Sequence, residues 1–184
     1  NSNRYFFFFY PEMKKFSDDE RIKSIEDILF DIDPNILNNF EEKRNEGEND
    51  KIICTMIRKD SIEEFISYIN RCNISLDSEI EPSIFETNSF LNENINVSLI
   101  EYAAFFGSIQ ILKYLVFNKV KMESPLWLYA IHSRNAELID YLESNKIIPP
   151  EITNNNDETD FTKNDYLLCF CESIKCQHNE IANY

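Results

Sequence analysis

The sequence predicts an all-α fold, a helical repeat solenoid with irregular connectors. Three observations point to it. The first is self-similarity. "SLIEYAAFFGSIQILKYL" (98–115) lies on "PLWLYAIHSRNAELIDYL" (125–142) without a gap, so that Leu99 meets Leu126, Tyr102 meets Tyr129, Ala103 meets Ala130, Leu112 meets Ile139 and Tyr114 meets Tyr141. The second is periodicity. Each copy reads as two short helices, apolar along one stripe and broken at Gly107 or Arg134, and a repeated unit that cannot bury its own stripe must stack on its neighbours. The third is composition: 2 glycines and 6 prolines in 184 residues are too few turn formers for a chain of many short strands.

Along the chain, "NSNRYFFFFYPEMKKF" comes first. Its six consecutive aromatics are closed off by Arg4 and by Pro11-Glu12, far short of the ~20 apolar residues of a membrane span. A secretory signal would need a small-residue cleavage site after the run, and none follows. Phe6 to Phe9 are therefore expected to form one end of a soluble core, capping the solenoid or packing on a segment outside this piece. An absent initiator Met and a last repeat that stops inside a helix suggest a piece of a longer chain. Ser17 followed by Glu20 predicts a capping box. The helix it opens places Ile22, Ile25, Ile28 and Leu29 on one face and stops at Asp33-Pro34. "FEEKRNEGEND" (40–50) is polar, contains Gly47, and reads as a loop or a frayed helix.

Residues 1–50 are thus assigned to an N-terminal helical cap region and 51–184 to degenerate repeats at 51–69, 98–116, 125–143 and 166–184. In the first copy Asp60-Ser61 stands where Gly107-Ser108 stands, with a one-residue slip after it. In the last, "CFCESIKCQHNEIANY" sets Ser173 on Ala130, Ile181 on Leu138 and Tyr184 on Tyr141. The connectors are unequal. Residues 70–97 are long, with "SIF" and "SFL" as short strands or helical turns, and 116–124 are short. Residues 146–165, with Pro149-Pro150 and "NNNDETD", read as disordered.

"SLIEYAAFFGSIQILKYL" resembles the ankyrin repeat, commonly written T-P-L-H-x-A-A-x-x-G-H-x-x-V-V-x-L-L. Ala103 and Ala104 match the paired alanines, Gly107-Ser108 the Gly-His step, and Ile111 and Leu112 the paired valines. The second copy departs from it at Trp127, Ile131 and Arg134. More broadly, the chain is similar to a protozoan family of ankyrin-repeat proteins with a degenerate, uncharacterised N-terminal helical region. The similarity rests on "YFFFFYPEMKKF", "FEEKRNEGEND", "IRKDSIEEFISYI", "PSIFETNSFL", "SPLWLYAIHSRNAELIDYL" and "ESIKCQHNEIANY" as well. It implies an architecture and a mode of action, protein binding in a groove, and supplies no substrate.

Composition narrows the functions. Gly47 and Gly107 are too far apart to build a phosphate-cradling loop. A formal net charge of −15, from 33 acidic and 18 basic residues, repels nucleic acid, whose binding depends on Lys and Arg displacing counterions. No membrane association is expected. Five cysteines, an odd number without a paired framework, favour reduced thiols and a cytoplasmic location. Asn73 and Asn96 head glycosylation patterns that matter only in a secreted chain.

Cys169, Cys171, Cys176 and His178 form C-x-C-x₄-C-x-H. Zinc knuckles use C-x₂₋₄-C or ligands one helical turn apart, so these read as ordinary helix cysteines, and no metal or other cofactor is expected. His132 stands in no catalytic motif, and no enzymatic activity is expected. The two positions after the alanine pair face the groove in ankyrin proteins. By that resemblance they are Phe105 and Phe106, His132 and Ser133, Arg58 and Lys59, and Lys175 and Cys176. Two accounts of the phenylalanines stand: an apolar contact patch, or cover by residues 70–97. The resulting expectation is a protein–protein interaction module for a basic segment, steered by acids such as Glu93, Glu101 and Glu123. The alternative is a structural or cytoskeletal scaffold component packed permanently in a larger assembly.

Overall fold

The computed structural model describes residues 6–94, 96–150 and 166–182, and its regular structure is helical. The helices are α1 (Tyr10–Phe16), α2 (Asp19–Ile32), α3 (Phe40–Glu46), α4 (Ile52–Arg58), α5 (Ile62–Cys72) and α6 (Ser89–Glu93). They continue as α7 (Leu99–Phe105), α8 (Ile109–Phe117), α9 (Leu126–Ser133), α10 (Ala136–Ser144), α11 (Leu167–Lys175) and α12 (Asn179–Ala182). Extended pairing among the described residues is confined to one isolated antiparallel bridge, Glu79 with Ser98. Neither "SIF" nor "SFL" forms a strand. No helix among these residues is long and apolar enough to cross a membrane. Contacts divide the chain into two units: 1–52 with 81–95, and 53–80 with 96–184.

In the first unit Ile22, Ile25 and Leu29 share a face of α2 and bury it against Tyr10, Ile36, Phe40, Ile84 and Phe85. Phe40 makes edge contacts with Tyr10 at 5.6 Å and with Phe85 at 4.9 Å. The opening aromatic run divides its work. Phe7 packs on this core, while Phe8 and Phe9 lie against the Arg44 guanidinium at 5.1 and 5.6 Å. Arg44 also holds Glu12 through two 2.7 Å hydrogen bonds.

The cap of α2 differs from expectation by one residue. The Asp18 carboxylate accepts the Arg21 N–H at 2.8 Å, because Ser17 is taken up in closing α1, its N–H reaching the Met13 carbonyl. Residues 40–46 are helical, and α3 ends at Gly47 with φ +69°. The Gly47 carbonyl accepts both the backbone N–H (2.9 Å) and the hydroxyl (2.7 Å) of Thr87. A Cβ here would stand 2.9 Å from that hydroxyl oxygen. The connector 70–97 is thus no free loop: its 81–95 part delivers Ile84 and Phe85 to the core and carries α6.

The second unit repeats one backbone device. The pairs α4/α5, α7/α8, α9/α10 and α11/α12 each turn through a left-handed residue: Asp60 (φ 48°), Gly107 (68°), Arg134 (54°) and Gln177 (59°). The N–H of the next residue then reaches back into the first helix, Ser61 to Met56, Ser108 to Ala103 and His178 to Ser173, at 2.8–3.0 Å. Such bonds satisfy carbonyls that a helix end leaves open. The second helices close alike, with Asn73, Lys119 and Lys146 left-handed and Ile74, Val120 and Ile147 bonded back to Ile69, Leu115 and Leu142 at 3.1 Å each.

Successive pairs are joined at the same register. Ser108 Oγ donates to the Ile57 carbonyl at 2.5 Å, Asn135 Nδ2 to the Gly107 carbonyl at 3.0 Å, and His178 Nδ1 lies 2.9 Å from the Ile131 carbonyl. Asp60 accepts the N–H groups of Gln110 and Ile111, both at 3.0 Å, at the start of α8. Helix α7 packs on α9, and α9 on α11. Ala103, Ala104 and Ala130 are fully buried there, where any longer side chain would push the helices apart. Ser98 and Glu101 form a capping box at α7. Trp127 is buried and sends its indole N–H to the Ile147 carbonyl at 2.9 Å. Disorder was expected over 146–165, but 146–150 are held at their start, where Ile147 bonds back to Leu142 and the Ile147 and Ile148 carbonyls accept from Trp127 and Ser124; residues 151–165 and the match at Tyr184 fall outside the described residues.

Candidate functional site

The corner at the end of each first helix is where the sequence places its candidate residues, and the helix ends explain their order. Arg58 closes α4, Phe105 closes α7 with Phe106 as its cap, His132 and Ser133 close α9, and Lys175 and Cys176 close α11. These corners touch. The Arg58 guanidinium lies over the Phe106 ring at 5.9 Å and donates to the Tyr102 hydroxyl at 3.0 Å. Phe106 meets Phe105 edge-on at 5.0 Å, and Phe105 stacks on the His132 imidazole at 4.9 Å with 27° between planes. Cys176 Sγ lies 3.4 Å from His132 Nδ1 and 3.6 Å from Nε2. One continuous row therefore crosses four helix pairs.

Exposure within the row is uneven. Phe105 is buried, at 9% exposure, between His132 and Phe106, so its own unit covers it. Phe106, Arg58, His132, Ser133 and Cys176 are half-buried, and Lys59 and Lys175 are exposed. Ser133 serves the turn, its hydroxyl donating to the Ala130 carbonyl (2.7 Å) and accepting the Asn135 N–H (3.1 Å). Of the acids expected to steer a partner, Glu101 and Glu123 share a groove of about 470 Å³ with Asp77, Lys119 and Lys121. Glu93 belongs to the other unit.

The end of the row gathers an imidazole, a carboxylate, an amine and a thiol. His132 Nε2 is 3.0 Å from Glu172 Oε1, and Lys175 Nζ holds Oε2 of the same carboxylate at 2.9 Å. Burial pushes the imidazole pKa down, against the opposing pull of Glu172. Burial, with the Glu172 charge second, pushes the Cys176 thiol up. Both shifts favour the uncharged forms, a neutral imidazole and a protonated thiol. A catalytic thiol needs a lowered pKa and a ring nitrogen in line with the sulfur. Here the sulfur is nearly equidistant from both ring nitrogens, whereas a thiol aligned with one would stand much farther from the other. The arrangement is not that of an activated nucleophile.

The four residues of C-x-C-x₄-C-x-H are not brought together. Cys169 is buried, its pKa pushed up to about 11 by that burial, Cys171 is exposed, and His178 engages the Ile131 carbonyl. Sequence reasoning missed Glu172. Its spacing to Cys176 sets both on one helical face, but nothing local in the sequence announces His132, forty positions earlier, as their neighbour. No family model matches the chain, and neither a curated protein nor a solved structure matches it.

Proposed function

We propose that residues 53–80, 96–150 and 166–182 form an ankyrin-type helical stack that binds other proteins and performs no catalysis. The observation that supports this reading is the row Arg58–Phe106–Phe105–His132–Cys176. Corner residues from four successive pairs make contact, so the stack offers one continuous strip in place of scattered side chains. A half-buried aromatic beside a guanidinium is the composition of an interface hot spot. Phe106 supplies the anchor, Phe105 holds it from one side and itself stacks on His132, and the exposed Lys59 and Lys175 flank the strip. The net charge of −15 steers a partner of basic overall surface toward the chain.

The test is the affinity of a captured basic partner for the wild-type chain and for Phe106→Ala, by calorimetry at two salt concentrations. The reading expects at least a tenfold loss, about 1.4 kcal/mol, with unchanged thermal unfolding and weaker association at the higher salt. Equal affinity for the variant would remove the row from the interface. The scaffold alternative has its own support in Phe117 and Ile148, 82% and 66% exposed in this unit, since apolar side chains left in water mark contact surfaces.

A further inference from the structure

We propose that His132, Glu172 and Cys176 form a binding site for a zinc-like divalent cation, with the fourth coordination position left to water. The site shares His132 and Cys176 with the contact row, but it does not rest on the protein-binding reading. The donors come from two neighbouring helix pairs: an imidazole at the end of α9, a carboxylate within α11, and a thiol just past its end. All three donor atoms lie within 4.8 Å of one another. With Zn–N and Zn–O bonds of about 2.0–2.2 Å and a Zn–S bond of about 2.3 Å, the edges of a tetrahedral site are roughly 3.3–3.6 Å. The observed Nε2···Oε1 separation is 3.0 Å and Nε2···Sγ is 3.6 Å. A few tenths of an ångström of expansion at the carboxylate would bring the first into range. The sulfur must also leave the face of the ring for its edge, a side-chain rotation at a half-buried residue beyond the last turn of α11.

The surroundings suit such a site. Lys175 holds Glu172 Oε2 and leaves Oε1 facing the imidazole. The Phe105 ring fixes the imidazole plane by stacking. Outer contacts that orient ligands in this way tune metal affinity. The ligand set selects the ion: one thiolate and one imidazole disfavour Mg²⁺ and Ca²⁺, which take oxygen, and suit Zn²⁺. Binding replaces the thiol proton with the metal and releases that proton to solvent. It ties α9 to α11, so the bound ion would lock the fourth helix pair to the third.

The experiment titrates Co²⁺ into the chelator-stripped chain and follows thiolate-to-cobalt charge transfer and d–d absorption, with Zn²⁺ as competitor. The expected result is saturation at one equivalent, bleaching by one equivalent of Zn²⁺, and loss of charge transfer in Cys176→Ser. His132→Gln and Glu172→Gln weaken binding tenfold or more, while Cys72→Ser and Cys171→Ser, which alter exposed cysteines, leave it unchanged. A band that survives Cys176→Ser, or that vanishes with Cys171→Ser, overturns the site. A second measurement uses the wild type alone: Zn²⁺ should slow alkylation of Cys176, read by mass spectrometry, at least tenfold. Equal labelling with and without Zn²⁺ refutes the proposal whatever the variants do.

Discussion

Replacing Gly107 with alanine probes the repeat device at its tightest point. Gly107 sits at φ +68°, and a Cβ added there would stand 3.2 Å from Ser133 Cβ and 3.3 Å from Asn135 Cβ. An L residue in the left-handed region costs about 1–2 kcal/mol. The two neighbouring Cβ atoms are fixed to the backbone of the next turn, so relief requires the pairs to separate. That movement endangers the 3.0 Å bond from Asn135 Nδ2 to the Gly107 carbonyl, worth about 1 kcal/mol. Against these, alanine narrows the unfolded ensemble and returns about 0.4–1 kcal/mol. The net expectation is a loss of about 1–2 kcal/mol. Arg134 occupies the equivalent position with φ 54° and no glycine. Arg134→Gly relieves that strain but removes an exposed ion pair with Glu180, of a kind that contributes little, so it should cost clearly less than Gly107→Ala. Urea denaturation at constant m-value measures both. A Gly107→Ala chain as stable as wild type, or an Arg134→Gly chain as damaged as it, would refute the shared register.

Phe85→Ala should cost the first unit about 3–5 kcal/mol, the range for a fully buried phenylalanine, because Phe85 is 0% exposed against Phe40. Loss of protection against amide exchange in α1–α3 reads it out. Asp60→Ala should cost about 1–2 kcal/mol by removing the acceptor of the Gln110 and Ile111 N–H groups from a helix start, with faster exchange of those two amides. Stability should also fall in acid. The hydrogen bonds from Arg44 to Glu12, and those from Tyr10 and Lys14 to Glu26, hold both carboxyls below their usual range. The unfolded chain therefore takes up protons first, and the contribution is present above the ordinary carboxylate pKa and lost as pH falls through the folded one. Arg44→Gln should flatten that dependence in urea midpoints measured across the acid range.

What the sequence revealed was mostly local. The breaks at Gly107 and Arg134, and the weaker counterpart at Asp60, were legible because a turn demands a left-handed residue at fixed distance from two apolar stripes. The helix stop at Asp33-Pro34 was legible for a similar reason. The cap at Asp18 was misplaced by one because Ser17 and Asp18 are both good caps, and which is used depends on where α1 ends. Residues 70–97 read as connector because Ile84 and Phe85 lack periodic neighbours; their burial depends on Phe40, far away in sequence. The row of corner contacts follows from the repeat register. The meeting of His132 with Glu172 and Cys176 does not, since it depends on how two degenerate repeats of unequal spacing pack.

Site-specific photo-crosslinking at Phe106, compared with Phe117, tests the binding account most directly. Phe106 lies in the contact row, whereas Phe117 is 82% exposed at the end of α8. A photoreactive phenylalanine analogue at 106 should join the chain to a partner with basic surface, and excess unlabelled chain should compete the product away. The same analogue at 117 should give none. Crosslinking at 117 with silence at 106 would place the interface at the end of α8 and contradict the claim that the row is where this protein binds.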